Sequence, residues 1–217
     1  MIKNKMAFIS SVVILCICMY LFFPFPNNPL FGASYVFMSF PLQNSEGINL
    51  LGILGSILFI IAIALLINSL KKYYILSIVF VILFYAFLPR ILITVYQETL
   101  ASGIAVISYD GNGKCEFESE SENIVDGKCQ VVLQNRSNEA VLFEVEFLDS
   151  YYEKDQTRME SLMNIAGPYK ITIAANQEET ISLNELLDVS NVSNHMAGGA
   201  SRDIHIKLID GENERVL

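Results

Sequence analysis

The chain has 217 residues, of which 53% are hydrophobic and 17% are charged, and its formal net charge is −9. Soluble domains are usually less hydrophobic and more charged, so one globular domain in one solvent is not expected. The segment 101–217 holds 21 of the 23 acidic and 9 of the 14 basic residues, a net charge of −12. That balance argues against nucleic acid as a partner, because a phosphate backbone requires Lys and Arg.

The segment 1–100 contains three apolar stretches, and a helix needs about 20 such residues to cross a bilayer. They lie at about 6–23, 48–70 and 73–95. No Lys or Arg occurs between Lys5 and Lys71. Arg90 falls roughly 26 Å along the third stretch, at 1.5 Å per residue, where its side chain can reach the outer interface. The sequence therefore predicts a three-helix transmembrane region with the lipid bilayer as its first partner.

The basic residues predict the orientation of these helices. Lys3 and Lys5 precede the first stretch, and Lys71 and Lys72 separate the second from the third. Because basic residues stay on the cytoplasmic side, the N-terminus is expected in the cytoplasm and segment 101–217 outside it. This is the topology of a multi-pass protein of the cell membrane.

The connection 24–47 between the first two stretches is rich in Pro and aromatic residues and contains no basic residue. Aromatic side chains prefer the membrane interface. We expect either a segment that rests on the outer leaflet, or a lid or docking surface. Just beyond it, Gly52 and Ser56 form a pair of small residues that favours close helix packing.

In segment 101–217 the hydrophobic period changes to two, which is typical of strands with one buried face. The alternating segments are 104–109, 115–120, 129–134, 141–147, 169–173, 179–183, 203–208 and 214–217. Turn-forming residues such as Asp126-Gly127 separate them. The pattern predicts an extracytoplasmic immunoglobulin-like or fibronectin-like β-sandwich. It resembles the small immunoglobulin-like domains of Gram-positive surface proteins, and that resemblance implies a binding or interaction module. The usage of Ile, Asn and Lys is typical of a bacterium of low GC content.

Cys115 and Cys129 fall on the inward faces of two predicted strands and are symmetric about Glu122. An antiparallel pair that turns at Glu122 sets the two side chains opposite each other. Outside the cytoplasm, the sequence therefore predicts a disulfide between them.

Two stretches break the strand pattern and are the predicted partner surface. They are Glu153–Pro168, in which Lys154–Ile165 has the spacing of a short amphipathic helix, and the long connection Asn184–Ser201. Interface cores are enriched in Met and aromatic residues. Residues of these types in or beside the two stretches, together with one histidine, are Tyr151, Tyr152, Met159, Met163, His195 and Met196. The competing interpretation is that these side chains cover the open ends of the sandwich.

No catalytic residue, metal ligand set or cofactor motif is predicted. The chain has two histidines, His195 and His205, and neither lies near a nucleophile motif. The loop that begins at Asp110 lacks the calcium ligands of an EF-hand, since its fifth position is Lys114. The sequence favours a membrane-anchored, non-enzymatic interaction or accessory protein. The alternatives are a membrane-coupled sensor of a small ligand or metal ion and, third, an enzyme without a recognisable motif.

Overall fold

The computed structural model describes residues 2–21, 23, 27, 33–44, 47–149, 158–196, 198–202 and 204–217. The chain divides into two compact units. Met1–Phe25 and Gly32–Thr94 form the first, named here the helical unit. Pro26–Phe31 and Val95–Leu217 form the second, named the β unit.

The helical unit contains three helices and a small antiparallel sheet. The helices are α1 (Lys5–Leu21), α2 (Leu50–Ser69) and α3 (Tyr74–Thr99), and the strands are β1 (Ala33–Phe37), β2 (Phe40–Asn44) and β3 (Gly47–Ile48). Of the described helices, α2 with 20 residues and α3 with 26 residues are long and apolar enough to cross a membrane. The first predicted span is also an apolar helix, but α1 has 17 residues and falls short of that length.

Helices α1 and α2 lie antiparallel. The buried positions of α2 recur every three or four residues: Gly52, Gly55, Phe59, Ala62, Leu66 and Ser69. This spacing places them on one stripe of the helix. The Ser11 hydroxyl of α1 donates to the Ala62 carbonyl (2.7 Å), and the Cys18 thiol lies 3.9 Å from the Gly55 carbonyl oxygen. The two helices therefore pack through small side chains.

Residues 33–44 form an antiparallel hairpin of β1 and β2, whereas the sequence signalled no strands in this connection. The Phe40 side chain is fully buried, with its ring centroid 5.9 Å from that of Phe59 and 6.3 Å from that of Tyr85. Gly52 of the predicted small-residue pair faces this hairpin, because a Cβ atom there would overlap the Pro41 carbonyl. Phe37 and Phe40 of the connection thus belong to the core of the helical unit, whereas Tyr35 is exposed.

The β unit begins with the last turn of α3 and continues as antiparallel strands. Its strands are β4 (Ile107–Tyr109), β5 (Lys114–Ser121), β6 (Ile124–Asn135), β7 (Val141–Leu148), β8 (Tyr169–Ile173), β9 (Glu178–Asp188), β10 (Gly199–Arg202), β11 (His205–Asp210) and β12 (Asn213–Val216). Short 3₁₀ helices occupy Gly103–Val106 and Glu160–Ile165.

The strands of the β unit form two sheets that share one hydrophobic core. The first has the order β10–β5–β6–β4, with β9 on the free side of β6, and the second has the order β12–β11–β7–β8. Val131 and Leu133 of the first sheet and Phe143 and Leu208 of the second belong to the same buried cluster. At least half of each alternating segment lies in one of these strands. Among the described residues, 104–106 belong to a 3₁₀ helix, and Ile204 and Leu217 lie just outside β11 and β12.

The predicted long connection Asn184–Ser201 is wrong at both ends. Strand β9 continues to Asp188, paired with β6, and β10 begins at Gly199, paired with β5. Two local signals in the sequence caused this error: Glu185 interrupts the alternation of apolar residues in β9, and Gly198-Gly199 is typical of a loop. The backbone hydrogen bonds with β6 and β5 override both local signals.

Candidate partner-binding surface

Cys115 and Cys129 lie directly opposite each other on β5 and β6, with 4.1 Å between their Cα atoms, and they form a disulfide. The predicted symmetry about Glu122 agrees with the register, since the hairpin turns at Glu122 and Asn123. Both side chains face the core. The bond links neighbouring strands. It stabilises the fold by about 3 kcal/mol, because it restricts the conformations of the unfolded chain.

The two segments predicted to bind a partner meet in the β unit. Arg158 and His195 form a parallel bridge. The Arg158 amide donates to the Asn194 carbonyl (2.8 Å), and the Met196 amide donates to the Arg158 carbonyl (3.0 Å). Arg158 and Asn194, which are 36 positions apart in the sequence, are therefore neighbours, and the two segments form one continuous surface.

Two methionines of these segments converge on Gly199. A Cβ atom built on Gly199 would lie 3.1 Å from Met159 Cε and 3.8 Å from Met196 Cε. Met159, His195 and Met196 are each partly exposed. We name Met159, His195, Met196 and Gly199 the methionine surface, and it presents polarizable apolar groups to solvent.

Asp149 and Asn164 hold the start of this surface in place. The Asp149 carboxylate accepts hydrogen bonds from the Met159 amide (3.0 Å), the Ser161 amide (2.8 Å) and the Ser161 hydroxyl (2.6 Å). The Asn164 side chain accepts from the Phe147 amide and donates to the Phe147 carbonyl, both at 2.8 Å. Sequence reasoning missed both residues. The available signal was the preference of Asp and Asn for bonds to nearby backbone.

Glu160 joins the same region to the edge of the first sheet. Its side chain is 2% exposed, and its carboxylate accepts a hydrogen bond from the Ser201 hydroxyl on β10. A buried carboxylate requires such partners. The strand that carries Gly199 is therefore tied to the 3₁₀ helix that follows Met159. Hydrophobic periodicity does not predict that Glu160 is buried, because Glu is a charged residue.

The other predicted surface residues have different positions. Met163 is 0% exposed and packs in the core of the β unit, so it presents no surface to a partner. Its place in the 3₁₀ helix Glu160–Ile165 directs its side chain toward Gly127 of β6. Tyr151 and Tyr152 lie outside the described residues, as does the first part of the helix predicted over Lys154–Ile165.

The residues predicted to set the topology occupy two places in the helical unit. Ile2 and Leu70 form an antiparallel bridge, and the Lys3 amide donates to the Ser69 carbonyl (2.6 Å). These contacts bring Lys3 and Lys5 to the same end of the unit as Lys71 and Lys72. Arg90 is exposed within α3, about 24 Å along the helix from Tyr74.

Among the described residues, no group of three or more His, Cys, Asp or Glu side chains could hold a metal ion. A shallow cavity of about 280 Å³ lies on the outer face of the first sheet. Polar residues of three neighbouring strands line most of it: Lys114, Glu116, Lys128, Gln130, Ser182 and Asn184. It offers amides, a hydroxyl and charges of both signs to a small polar ligand.

Comparisons with models of protein families, with curated proteins and with solved structures find nothing that matches this chain.

Proposed function

We propose that this chain is a membrane-anchored, non-enzymatic interaction or accessory protein that presents its acidic β unit outside the cytoplasm to a protein partner. One observation carries the proposal, namely the apolar surface of α2 and α3. Large side chains of α3 that are exposed include Ile75, Leu76, Val79, Phe80, Leu83, Phe84, Phe87, Ile91, Leu92 and Val95. Soluble proteins rarely expose apolar patches of such extent, whereas a bilayer covers them.

Helix α1 is proposed as the third span. It lies along α2, and its outer side exposes Met6, Ile9, Val12, Val13 and Ile17. At 1.5 Å per residue its 17 residues extend about 25 Å. The hydrocarbon is about 30 Å thick, and a slightly short helix is accommodated by local thinning or by flanking side chains.

The four lysines support the proposed orientation. Lys3, Lys5, Lys71 and Lys72 lie at one end of the helical unit, and no Lys or Arg occurs in the connection between α1 and α2. Basic residues accumulate on the cytoplasmic side. Three spans then place the β unit outside the cytoplasm, where a disulfide persists.

For the β unit we propose an immunoglobulin-like or fibronectin-like sandwich. Strand β6 lies between β5 and β9, and β11 lies between β7 and β12. In immunoglobulin-like sandwiches the second strand likewise lies between the first and the fifth, and the sixth between the third and the seventh. The strand order, together with the shared core, supports this assignment.

The methionine surface is the proposed contact with the partner. Much of the outer strand surface is charged, as at Glu144 and Glu146, and charged residues are depleted from interface cores. Met159 and Met196 instead offer flexible apolar groups on a framework fixed by Asp149 and Glu160. The alternative is that these side chains only close one end of the sheets, and the following experiment separates the two roles.

The test is capture of the partner by tagged full-length protein from detergent extracts of native membranes. We expect a stoichiometric partner, and we expect Met196→Ala to lower its recovery at least about tenfold, as for a hot-spot residue. The melting temperature should change by no more than about 1–2 °C, since Met196 is only partly buried. Leu142→Ala is the matched control, because Leu142 is an apolar side chain 59% exposed on β7.

A shared loss of binding and melting temperature in Met196→Ala would mean that the surface is structural. Equal recovery with Met196→Ala and Leu142→Ala would place the contact elsewhere. Failure to recover any stoichiometric partner would count against an accessory role.

A second candidate function is a membrane-coupled sensor of a small ligand. The polar cavity between Lys114, Lys128 and Asn184 favours it. In that case a small polar ligand should raise the melting temperature of the purified chain, and Lys114→Ala should abolish the shift. A partner-binding protein should show no such shift.

A further inference from the structure

Pro89 lies inside α3, four residues after Tyr85. In an α-helix the amide of residue 89 would donate to the carbonyl of residue 85, but proline has no amide hydrogen. The helix nevertheless continues from Tyr74 to Thr99. The Tyr85 carbonyl is therefore deprived of its regular donor in the middle of an apolar helix.

The hairpin of β1 and β2 supplies a donor to this same carbonyl. Its two-residue turn consists of Met38 and Ser39, and the Ser39 hydroxyl donates to the Tyr85 carbonyl oxygen at 3.1 Å. An unsatisfied carbonyl surrounded by apolar groups is costly, and in a bilayer core no water replaces the missing donor. The Ser39 hydroxyl thus replaces the amide donor that Pro89 lacks.

The packing of the hairpin places its tip well along the helices. Pro41 contacts the start of α2 at Gly52, and Phe40 packs against Phe59, nine residues after Leu50. At 1.5 Å per residue, the tip lies about 14 Å from the start of α2, close to its midpoint. Backbone that is not helical is tolerated at such depth only when protein surrounds it, and Phe40 is fully buried.

Tyr85 connects the remaining helix to this arrangement. Its hydroxyl donates to the Leu15 carbonyl of α1, and its ring centroid lies 4.8 Å from that of Phe59 in α2. One residue of α3 therefore contacts α1 and α2 through its side chain and the hairpin through its carbonyl.

We propose that the hairpin Ala33–Asn44 is a re-entrant strap that completes α3 at Pro89 and holds it in one conformation. Its membrane depth rests on the proposed membrane insertion. When the strap withdraws, the Tyr85 carbonyl loses the Ser39 donor, and α3 is weakened at Pro89. The strap and α3 therefore share two states, one with the strap docked and one with it withdrawn. The device is a conformational latch on the helix that leads into the β unit.

The first experiment is a double-mutant cycle of Ser39→Ala and Pro89→Ala in purified full-length protein. In the parent chain, Ser39→Ala should lower the melting temperature by several degrees, because the Tyr85 carbonyl loses its donor. In the Pro89→Ala background the restored amide donates to that carbonyl, and the shift should fall to less than half. Ser56→Ala is the matched control, because that hydroxyl donates to the Gly52 carbonyl within α2 (2.8 Å). Equal shifts by Ser39→Ala in the two backgrounds would overturn the proposal.

The second experiment measures the position of the tip in proteoliposomes with Cys16 and Cys18 replaced by alanine. A membrane-impermeant maleimide should label Met38→Cys, in the same turn as Ser39, far more slowly than Gln43→Cys, since Gln43 is exposed near the base of the hairpin. Adding Gly52→Val, which obstructs Pro41, should raise the rate at position 38. Equal rates at positions 38 and 43 would overturn the re-entrant strap. Release of the chain from membranes by carbonate would instead refute membrane insertion, and the result of the cycle would still stand.

Discussion

The two units satisfy buried polar groups with different side chains. In the helical unit the donors are small or aromatic and uncharged, and each meets one backbone carbonyl: Ser11 that of Ala62, Ser39 that of Tyr85, and Tyr85 that of Leu15. No charged side chain of the described helical unit is buried. The use of uncharged donors suits a lipid environment, because a charged side chain there raises the free energy.

The β unit buries larger polar groups that each serve several partners. Arg215 is 3% exposed, and its Nη1 donates to the carbonyls of Ile104 (3.0 Å), Ala105 (3.0 Å) and Ile107 (2.6 Å). Burial lowers the pKa of Arg215 to about 10, while Tyr96 raises it by a smaller amount. Such a group is retained because three acceptors compensate its loss of water. The comparison teaches that both units have apolar cores, but the β unit adds buried polar cross-links to its core, whereas the helical unit uses small uncharged donors.

The largest effect is expected from the disulfide, a cross-link that the described helical unit lacks. Cys115→Ser should lower the free energy of unfolding of the β unit by about 2–5 kcal/mol. Urea unfolding of the full chain in detergent measures this, and Cys16→Ala in α1 is the control, since Cys16 is exposed and unpaired. Non-reduced digests of protein from native membranes should contain the linked peptides. Free thiols at both Cys115 and Cys129 would contradict the prediction.

A smaller effect is expected from Asn135, the buried amide at the end of β6. Its Nδ2 donates to the carbonyls of Glu139 (2.7 Å), Ile173 (3.1 Å) and Ala174 (3.1 Å). Asn135→Ala leaves these acceptors without this donor and should destabilise the β unit by about 2 kcal/mol. Asn184→Ala, at an exposed position of β9, should change the free energy of unfolding by less than about 0.5 kcal/mol. Similar values for the two variants would show that Asn135 is not a cross-link.

The smallest effect compares one tyrosine hydroxyl from each unit. Tyr169 donates to the Met163 carbonyl (2.8 Å), and Tyr169→Phe should cost about 1 kcal/mol at neutral pH. Tyr85→Phe should cost about 0.6 kcal/mol, the average for such bonds between membrane helices. A Tyr85→Phe loss well above that of Tyr169→Phe would break the comparison.

Tyr169 also gives the β unit a pH dependence. Burial, and then the charge of Glu185, raise its pKa to about 12. Because the unfolded pKa is about 10, the folded chain holds the proton longer. The stabilisation is complete below pH 10 and is lost as the pH rises toward about 12. The tyrosinate absorbance of Tyr169→Phe subtracted from that of the parent chain should rise near pH 12, and a rise near pH 10 would contradict the assignment.

The strands of the β unit were predictable because their apolar residues alternate. The symmetry of Cys115 and Cys129 about Glu122 even predicted the register of β5 and β6. The helices were predictable from their apolar length, with small errors at the ends.

What the sequence did not reveal depends on partners distant in the chain. The hairpin at Ser39 was not foreseen, since Pro and aromatic residues on either side indicate an irregular loop. Arg215 and Glu160 are buried and Asp149 is partly buried, and each is held by bonds to backbone or to Ser side chains. Such bonds leave no periodic pattern in the sequence. Met163 was assigned to a surface because helical spacing alone does not identify the side of the helix that faces the core.

The bridge between Ile2 and Leu70 has a consequence for how the chain enters the bilayer. Helices α1 and α2 are antiparallel, and the start of α1 lies beside the end of α2. In the proposed orientation the connection between them therefore crosses the bilayer first, and the four lysines stay on the cytoplasmic side. Moving one charge against a potential of 100 mV costs about 2.3 kcal/mol, so reversal of this end would cost about 9 kcal/mol. In the proposed orientation, the membrane potential would therefore oppose insertion with the four lysines on the outer side.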